Sequence, residues 1–482
     1  METIRNLIAG EWVDSSQGAI VEDRNPARQT DILATFPSAT REDACRAVEA
    51  ARAAFSDWAS TPFPTRGAIL QRASQIIDRQ LEEFAVTMTR EEGKILAEAR
   101  AEVARARDIF QYFSGEGWRN AGEVLPSAND GQLIFTKREP LGVISIITPW
   151  NVPAAIPAWK LAPALVYGNT VVFKPSSLTP LVGVMLVKIL LEAGLPANVV
   201  NFVTGSGSIV GMELVTSPDV DGVTFTGSYD IGSNILAQAQ AGRKRIQCEM
   251  GGKNPLVVLR DANVDLAVEL AVKGGFGLTG QACTATSRVI VDHTIADGFV
   301  ESLARAAKAL VVGDGLDPKT EMGPVVSQDQ LETNLRYVEM AVAEGGKLAA
   351  GGHVMAEGSL FFEPTVFDLV APGMRIAQEE VFGPVIAVIR SRDFEDAIDI
   401  ANGVGFGLSA SVVTCSLSKA FEFANRIDAG VIKINEQTTG VAPNAPFGGF
   451  KKSSANTFKE QGTAAIEYYT RTKTVYVNHR AV

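Results

Sequence analysis

Histidine and cysteine are scarce in this chain of 482 residues, which has three of the first and four of the second. His293, His353 and His479 lie far from one another and from the motifs described below, which argues against a metal site or a histidine base. Cys45, Cys248, Cys283 and Cys415 form no C-x-x-C pair, so neither a disulfide framework nor a zinc knuckle is expected. That usage fits a reducing compartment, by default the cytoplasm. No run of about 20 apolar residues occurs, and the opening METIRNLIAGEWVDSS has neither a long apolar core nor an Arg-rich amphipathic pattern, so no membrane partner is expected. Basic charge is in deficit: 44 Lys and Arg face 55 Asp and Glu, a net charge of −11 that disfavours nucleic acid and anionic surfaces as partners. Internal repeats and low-complexity segments are also absent.

What is present describes a soluble globular protein, 46% hydrophobic and 21% charged. Its length suggests roughly three domains. Residues 7–13 read as a short hairpin. Thr40 and Asp43 then resemble a capping box ahead of a helix whose face carries Ala44, Val48, Ala51, Phe55 and Trp58, with Cys45 packed on it. Charge-rich helical sequence continues from Thr65 to about Gly115, with Glu, Lys and Arg spread as on solvated faces. From Leu141 onward strands at 142–147, 170–173, 199–203 and 223–226 alternate with helices at 155–166 and 181–193, the pattern of a parallel, doubly wound sheet. A second alternation begins at Pro255, with strands near 255–259, 287–291, 384–389 and 430–434 and helices at 262–274 and 297–308. The segments 132–138 and 470–477 alternate as edge strands. In 205–211, GSGSIVG, the glycines are spaced GxGxxxG, so the dinucleotide fingerprint fails as written.

Three windows carry chemistry. Residues 274–288, GGFGLTGQACTATSR, set the single thiol of Cys283 among glycines at 274, 275, 277 and 280, an open setting suited to a nucleophile. The alternative is a small buried hydrophobe. Glu249, in CEMGGKNP between an apparent helix and the strand at 255–259, is placed to act as a base or is an ordinary helix-end glutamate. Asn151, in PWNVP after the strand at 142–147, offers an uncharged donor suited to an oxyanion.

ITPWN, FTGS (225–228), EMGGKNP, GQACTATSR and EEVFGPV (379–385) occur together in the order in which they stand in the aldehyde dehydrogenase superfamily, which this chain therefore resembles. The resemblance runs from about residue 5 to residue 477. It implies an α/β fold with a Rossmann-like cofactor domain (1–121 and 141–249), an α/β catalytic domain holding Cys283 (250–440), and a small β oligomerisation element (122–140 and 463–482) that pairs strands between subunits of a homo-dimer or homo-tetramer. It also implies that Cys283 attacks an aldehyde to give a thiohemiacetal, with Asn151 and the Cys283 N–H holding the oxyanion, and that Glu249 activates the water that hydrolyses the thioester. The intact Glu249 and Cys283 disfavour a CoA-acylating enzyme and a non-catalytic structural relative.

Cofactor roles follow from the resemblance by position: Gly227 and Ser228 toward the pyrophosphate, Lys174 toward the adenosine ribose, Ile147 and Trp150 along the adenine half, and Glu380 and Phe382 at the nicotinamide ribose and ring. NAD-preferring members usually carry glutamate three residues after the lysine. Ser177 stands there instead, so NADP or use of both NADP and NAD is expected. For the substrate, Val152, Ile156 and Trp159 are expected on one wall, with Leu278, Ala282, Thr284, Val441 and Phe447 opposite. Trp159 replaces the arginine that succinic-semialdehyde enzymes tend to carry. AIPAWKLAPAL, CTATSR and the segment from 450 to 476 resemble bacterial α-ketoglutaric semialdehyde (2,5-dioxopentanoate) dehydrogenases. The polar end of such a substrate would need donors such as Thr284, an inward-turned Arg288 or backbone N–H groups near 438–440. General aliphatic or aromatic aldehydes are the alternative.

Overall fold

The computed structural model describes residues 2–17, 19–119 and 122–480. The expected domain boundary at residue 121 and the chain end at 481–482 fall outside the described residues. Two seven-stranded sheets dominate. In the first, Val143–Ile147 lies between Gly222–Gly227 and Thr170–Lys174; Arg245–Met250 extends it on one side and Val200–Phe202 on the other, all parallel. The hairpin Asn6–Ile8 and Glu11–Val13 is added antiparallel through Phe202 and Leu7. The strands are buried on both faces, which is why they read as continuous apolar runs. Strand order reverses at Val143–Ile147, so the carboxyl ends of that strand and of Gly222–Gly227 open a crevice of the kind that holds ligands in doubly wound sheets.

The second sheet runs Lys347–Ala350, Thr365–Asp368, Val385–Ser391, Thr286–Asp292, Asn254–Val258, Ser409–Val413, Val431–Ile434, parallel except at its first strand. Helices cover both faces of each sheet. Along the strand Asn254–Val258, Val257 packs into the core on one face, and Leu256 and Val258 into the core on the other, as strand alternation requires. Helix Ala155–Val166 is buried at all twelve positions and lies under the first sheet, packed against helix Leu96–Ser114. A third, small sheet pairs Thr470–Asn478 antiparallel with Gln132–Pro140, which also pairs Val124–Leu125. It is exposed along Val124, Leu133, Tyr476 and Val477.

Most elements lie within a residue or two of their expected bounds, and the capping box at Thr40 and Asp43 is formed by reciprocal side-chain and backbone bonds. Two expectations change. Glu249 does not stand between a helix and a strand: it lies within the edge strand Arg245–Met250, whose alternating polar residues disguise it. The charge-rich helices are not simply solvated, because Glu91, Glu92, Lys94 and Glu102 are buried.

Candidate active site

The thiol lies where helix Val264–Phe276 gives way to strand Thr286–Asp292, at the amino end of the second sheet. Leu278 and Thr279 turn through the left-handed region (φ 52° and 56°), and Gly280 follows at φ 67°. A Cβ on Gly280 would stand 2.3 Å from the Gly383 carbonyl oxygen, so only glycine fits there. Cβ atoms on Gly274 and Gly275 would meet Thr286 and Ile386 at 2.3 and 2.5 Å, whereas at Gly277 there is room. These glycines seat the loop closely against its neighbours. Asn254 Nδ2 donates to the carbonyls of Cys283 and Ala285, each at 2.9 Å, and fixes the turn from below.

Buried charges of helix Leu96–Ser114 and the turn before it build the opposite wall. Glu98 Oε1 accepts from the Leu278 N–H at 2.8 Å. Glu102 Oε1 accepts from the N–H groups of Ala154 and Ala155 at 2.8 and 3.2 Å, where helix Ala155–Val166 begins. Its other oxygen pairs with Lys94, whose Nζ donates to the Asn151 carbonyl at 2.7 Å. Asn151 Nδ2 in turn donates to the Gln281 carbonyl at 2.8 Å, two residues before Cys283.

Electrostatics converge on the same point. Cys283 is half-buried, and burial pushes its thiol up to about 12, reinforced by the charges of Glu380 and then Glu249; the Thr284 N–H opposes them. Glu249 is itself held well above the usual carboxylate range, first by burial and then by the charge of Glu460. Its Oε2 accepts from the Gly449 N–H at 3.0 Å and its Oε1 from Ser454 Oγ at 3.4 Å. Glu460 pairs with Lys160 of the buried helix, and Lys160 also donates to Thr224 Oγ1 at 2.7 Å and Gln247 Oε1 at 3.3 Å. Glu380 rises to about 7 by burial, against the pull of the Gly252 N–H, 2.9 Å away, and of Lys253. Nothing in the sequence marks Lys160, Glu460, Lys94 or Glu102 as part of a site; buried lysine–carboxylate pairs look like surface pairs until the fold is known.

The expected cofactor residues fall into two groups. Ile147 and Lys174 are register partners at the carboxyl ends of adjacent strands. Lys174 is buried, falls to about 8 for that reason, and donates to the Pro175 carbonyl at 3.2 Å. Ser177 is exposed, and its Oγ donates to the Gly205 carbonyl at 3.2 Å. Gly227 has no room for a Cβ, which would meet the Phe225 ring at 2.4 Å, and Ser228 N-caps helix Tyr229–Ala241 without a side-chain cap bond. The first-turn N–H groups of that helix therefore stay free for an anion. The second group lies in the cleft: the Trp150 ring meets that of Phe382 edge-to-face at 5.4 Å, with Phe382 at φ 58°. Trp150 sits beyond the end of strand Val143–Ile147, in the turn that follows it, and packs there against Phe382.

The expected substrate walls meet in part. Trp159 and Phe447 stand 5.9 Å apart, ring to ring. Ile156 and Trp159 are buried in the core around the buried helix, and Val152 packs against its edge. Leu278 and Val441 are half-buried, while Ala282 and Thr284 are buried beside Cys283. The Thr284 carbonyl accepts from Thr438 Oγ1 at 2.6 Å, which ties residues 438–440 to the cysteine loop. Arg288 does not turn inward. Its guanidinium donates to the carbonyls of Lys253, Ile400 and Ala401, because strand alternation points it at the end of helix Phe394–Asn402. The side chain that does reach this region is Arg105, over the Trp159 ring at 5.6 Å.

Residues 12–475 match the model of the aldehyde dehydrogenase family. An α-ketoglutarate semialdehyde dehydrogenase from Haloferax volcanii is 47% identical over 98% of both chains, and an α-ketoglutaric semialdehyde dehydrogenase from Bacillus subtilis 46% identical over 98% of both. A 2,5-dioxopentanoate dehydrogenase from Saccharolobus solfataricus is 44% identical, covering 97% of this chain and 98% of its own. Among solved structures, betaine aldehyde dehydrogenase from Staphylococcus aureus in complex with NAD+ superposes with a TM-score of 0.96 at 36% identity, covering 98% of this chain and 94% of that one.

The electrostatic arrangement has a direct test. At pH 8 the Glu380 carboxyl, at about 7, is mostly ionised, and its charge disfavours the thiolate. Glu380→Gln removes that charge, so it should lower the Cys283 pKa and speed alkylation by iodoacetamide at this pH by about tenfold, the gain that relief of about 1.4 kcal/mol of repulsion gives. Peptide mass spectrometry reads the rate; a variant alkylated no faster than the parent would show that the two groups are not coupled.

Proposed function

The chain belongs to the aldehyde dehydrogenase family and is an NAD(P)-dependent aldehyde dehydrogenase, and we propose that Cys283, Glu249 and Asn151 carry out its oxidation of an aldehyde to a carboxylic acid. One observation carries this reading: the buried Glu249 and the half-buried Glu380 both raise the proton affinity of a single thiol, and Asn151 is tied to the backbone beside it. The Cys283 sulfur adds to the aldehyde carbon, and its proton leaves to a nearby acceptor. The resulting oxyanion lies between the Cys283 N–H and the Asn151 amide. Collapse of that alkoxide expels hydride and leaves a thioester. Glu249, a carboxyl whose proton affinity burial has raised, takes the proton from the attacking water, the kind of step a positioned base accelerates by about 10²–10⁴. The acid then departs and the thiol is restored.

The free N–H groups at the start of helix Tyr229–Ala241, the cramped Gly227 and the nearly unpartnered Lys174 suit a dinucleotide at the crevice of the first sheet. Ile147 borders that crevice, and Glu380, Phe382 and Trp150 suit its nicotinamide end. Bound there, nicotinamide supplies the hydride acceptor. We further read the cofactor as NADP or either form, because the exposed Ser177 cannot repel a 2′-phosphate as a carboxylate would. We read the chain as a cofactor domain (1–121 and 141–249), a catalytic domain (250–440) and an oligomerisation element (122–140 and 463–482), built respectively on the two seven-stranded sheets and on the small sheet of Gln132–Pro140 and Thr470–Asn478. The exposed small sheet suits pairing between subunits.

As substrate we propose α-ketoglutaric semialdehyde, oxidised to 2-oxoglutarate, on the strength of the relatives at 44–47% identity. Comparing kcat/KM for 2,5-dioxopentanoate, succinic semialdehyde, hexanal and benzaldehyde tests it: the five-carbon keto acid should lead, and a lead for hexanal or benzaldehyde would refute the assignment. Cofactor choice has its own measurement. Ser177→Glu should raise KM for NADP about tenfold more than KM for NAD, the size of one hydrogen bond or charge contact; equal changes would show that the 2′-phosphate is not sensed at that position.

A further inference from the structure

Arg105 stands three residues beyond Glu102 on helix Leu96–Ser114 and feels its charge without a direct ion pair. Nη2 donates to Gln461 Oε1 at 3.1 Å, while Nε is buried without a hydrogen-bond partner. Among the described residues no carboxylate pairs with it, since Glu102 is committed to Lys94 and to the N–H groups of Ala154 and Ala155. The amide nitrogen of Gln461 is likewise buried without a partner. Gln461 is held in the left-handed region at φ 62°, next to Gly462, where a Cβ would meet the Asn444 carbonyl oxygen at 2.4 Å, so the backbone fixes where that amide stands. A desolvated guanidinium with a free donor, beside a desolvated amide with free donors, is a site built for an anion.

Its position says which anion. The guanidinium lies 5.6 Å over the ring of Trp159, which meets the ring of Phe447 at 5.9 Å. Phe447 runs on into Gly448 and Gly449, and the Gly449 N–H donates to Glu249, so this cation stands on the wall that leads to the base. From the aldehyde carbon of 2,5-dioxopentanoate to its carboxylate carbon there are four carbon–carbon bonds of about 1.5 Å, an extended reach of about 5 Å. Of the other donors considered for the polar end, Arg288 is taken up by three carbonyls.

We propose that Arg105, supported by Gln461, binds the distal carboxylate of the substrate and is the residue that selects acid aldehydes over uncharged ones. The proposal rests on the substrate reading above and names the group that enforces it. The guanidinium offers the Nε–H and one N–H of Nη2, which share an edge, as a planar fork to the two carboxylate oxygens, while Gln461 Oε1 holds the other N–H of Nη2 and its own N–H turns toward the same oxygens. Stacking on Trp159 holds the fork side-on.

The measurement is the ratio of kcat/KM for 2,5-dioxopentanoate to that for pentanal, an uncharged aldehyde of equal chain length. Arg105→Met should lower this ratio about a hundredfold, almost wholly through KM for the acid aldehyde, in line with the loss of a charged, forked contact. Arg105→Lys keeps the charge without the fork and should lower it about tenfold, and Gln461→Ala likewise; these two stand in should the methionine variant fail to fold. A parent enzyme that favours the acid aldehyde while these variants keep its ratio would overturn the role of Arg105 and leave the substrate reading intact. A parent enzyme that favours pentanal would overturn both. Equal loss for both aldehydes would mark Arg105 as a structural residue and overturn the proposal as well.

Discussion

Desolvation at the meeting of two sheets governs this molecule. The carboxyl ends of the first sheet face the amino ends of the second, and the groups on both rims, Cys283, Glu249 and Glu380, have lost water without gaining a full set of partners. Each is thereby pushed toward its neutral form. A neutral thiol resists oxidation and stray alkylation, and a carboxyl raised in this way can both hold and release a proton during turnover. Buried ion pairs, Lys94–Glu102 and Lys160–Glu460, stand around them.

Those pairs also explain why the rims stay in register. Lys94 and Glu102 join the Asn151 carbonyl to the first N–H groups of the buried helix, and Glu98 reaches across to the loop that carries Cys283. Lys160 and Glu460 join that same helix to the segment after Phe447. Breaking such a pair by removing one member leaves an uncompensated buried charge, worth about 3–5 kcal/mol. Helix Leu96–Ser114 is thus the beam on which the Asn151 turn, the cysteine loop and Arg105 are all mounted.

Legibility in the sequence follows the physics of each segment. Helix Ala155–Val166 is readable to the residue because a twelve-residue apolar stretch bounded by a turn and by Gly168 permits little else, and the Thr40 cap because a capping box is a local interaction. Cys283, Glu249 and Asn151 stand out through their motifs. The strand of Glu249 escapes a sequence reading because Arg245, Gln247 and Glu249 alternate as on an exposed edge, yet their face is buried against Lys160 and Thr224. Arg105 gives no signal at all: on a helix with arginines at 100, 105 and 107, only tertiary packing tells the one over Trp159 from those paired at the surface. The surroundings of Trp150 are equally hidden, because its partner, Phe382, is distant in sequence and lies in the loop ahead of a strand of the other sheet.

The division of labour between Cys283 and Glu249 is most directly tested by stopping the reaction between its two halves. With 2,5-dioxopentanoate and NADP or NAD, Glu249→Gln should release a stoichiometric burst of reduced cofactor and then stall, with the mass of the acyl group found on the Cys283 peptide. Continued turnover at the parent rate, or an inactive variant with no adduct on Cys283, would contradict the account.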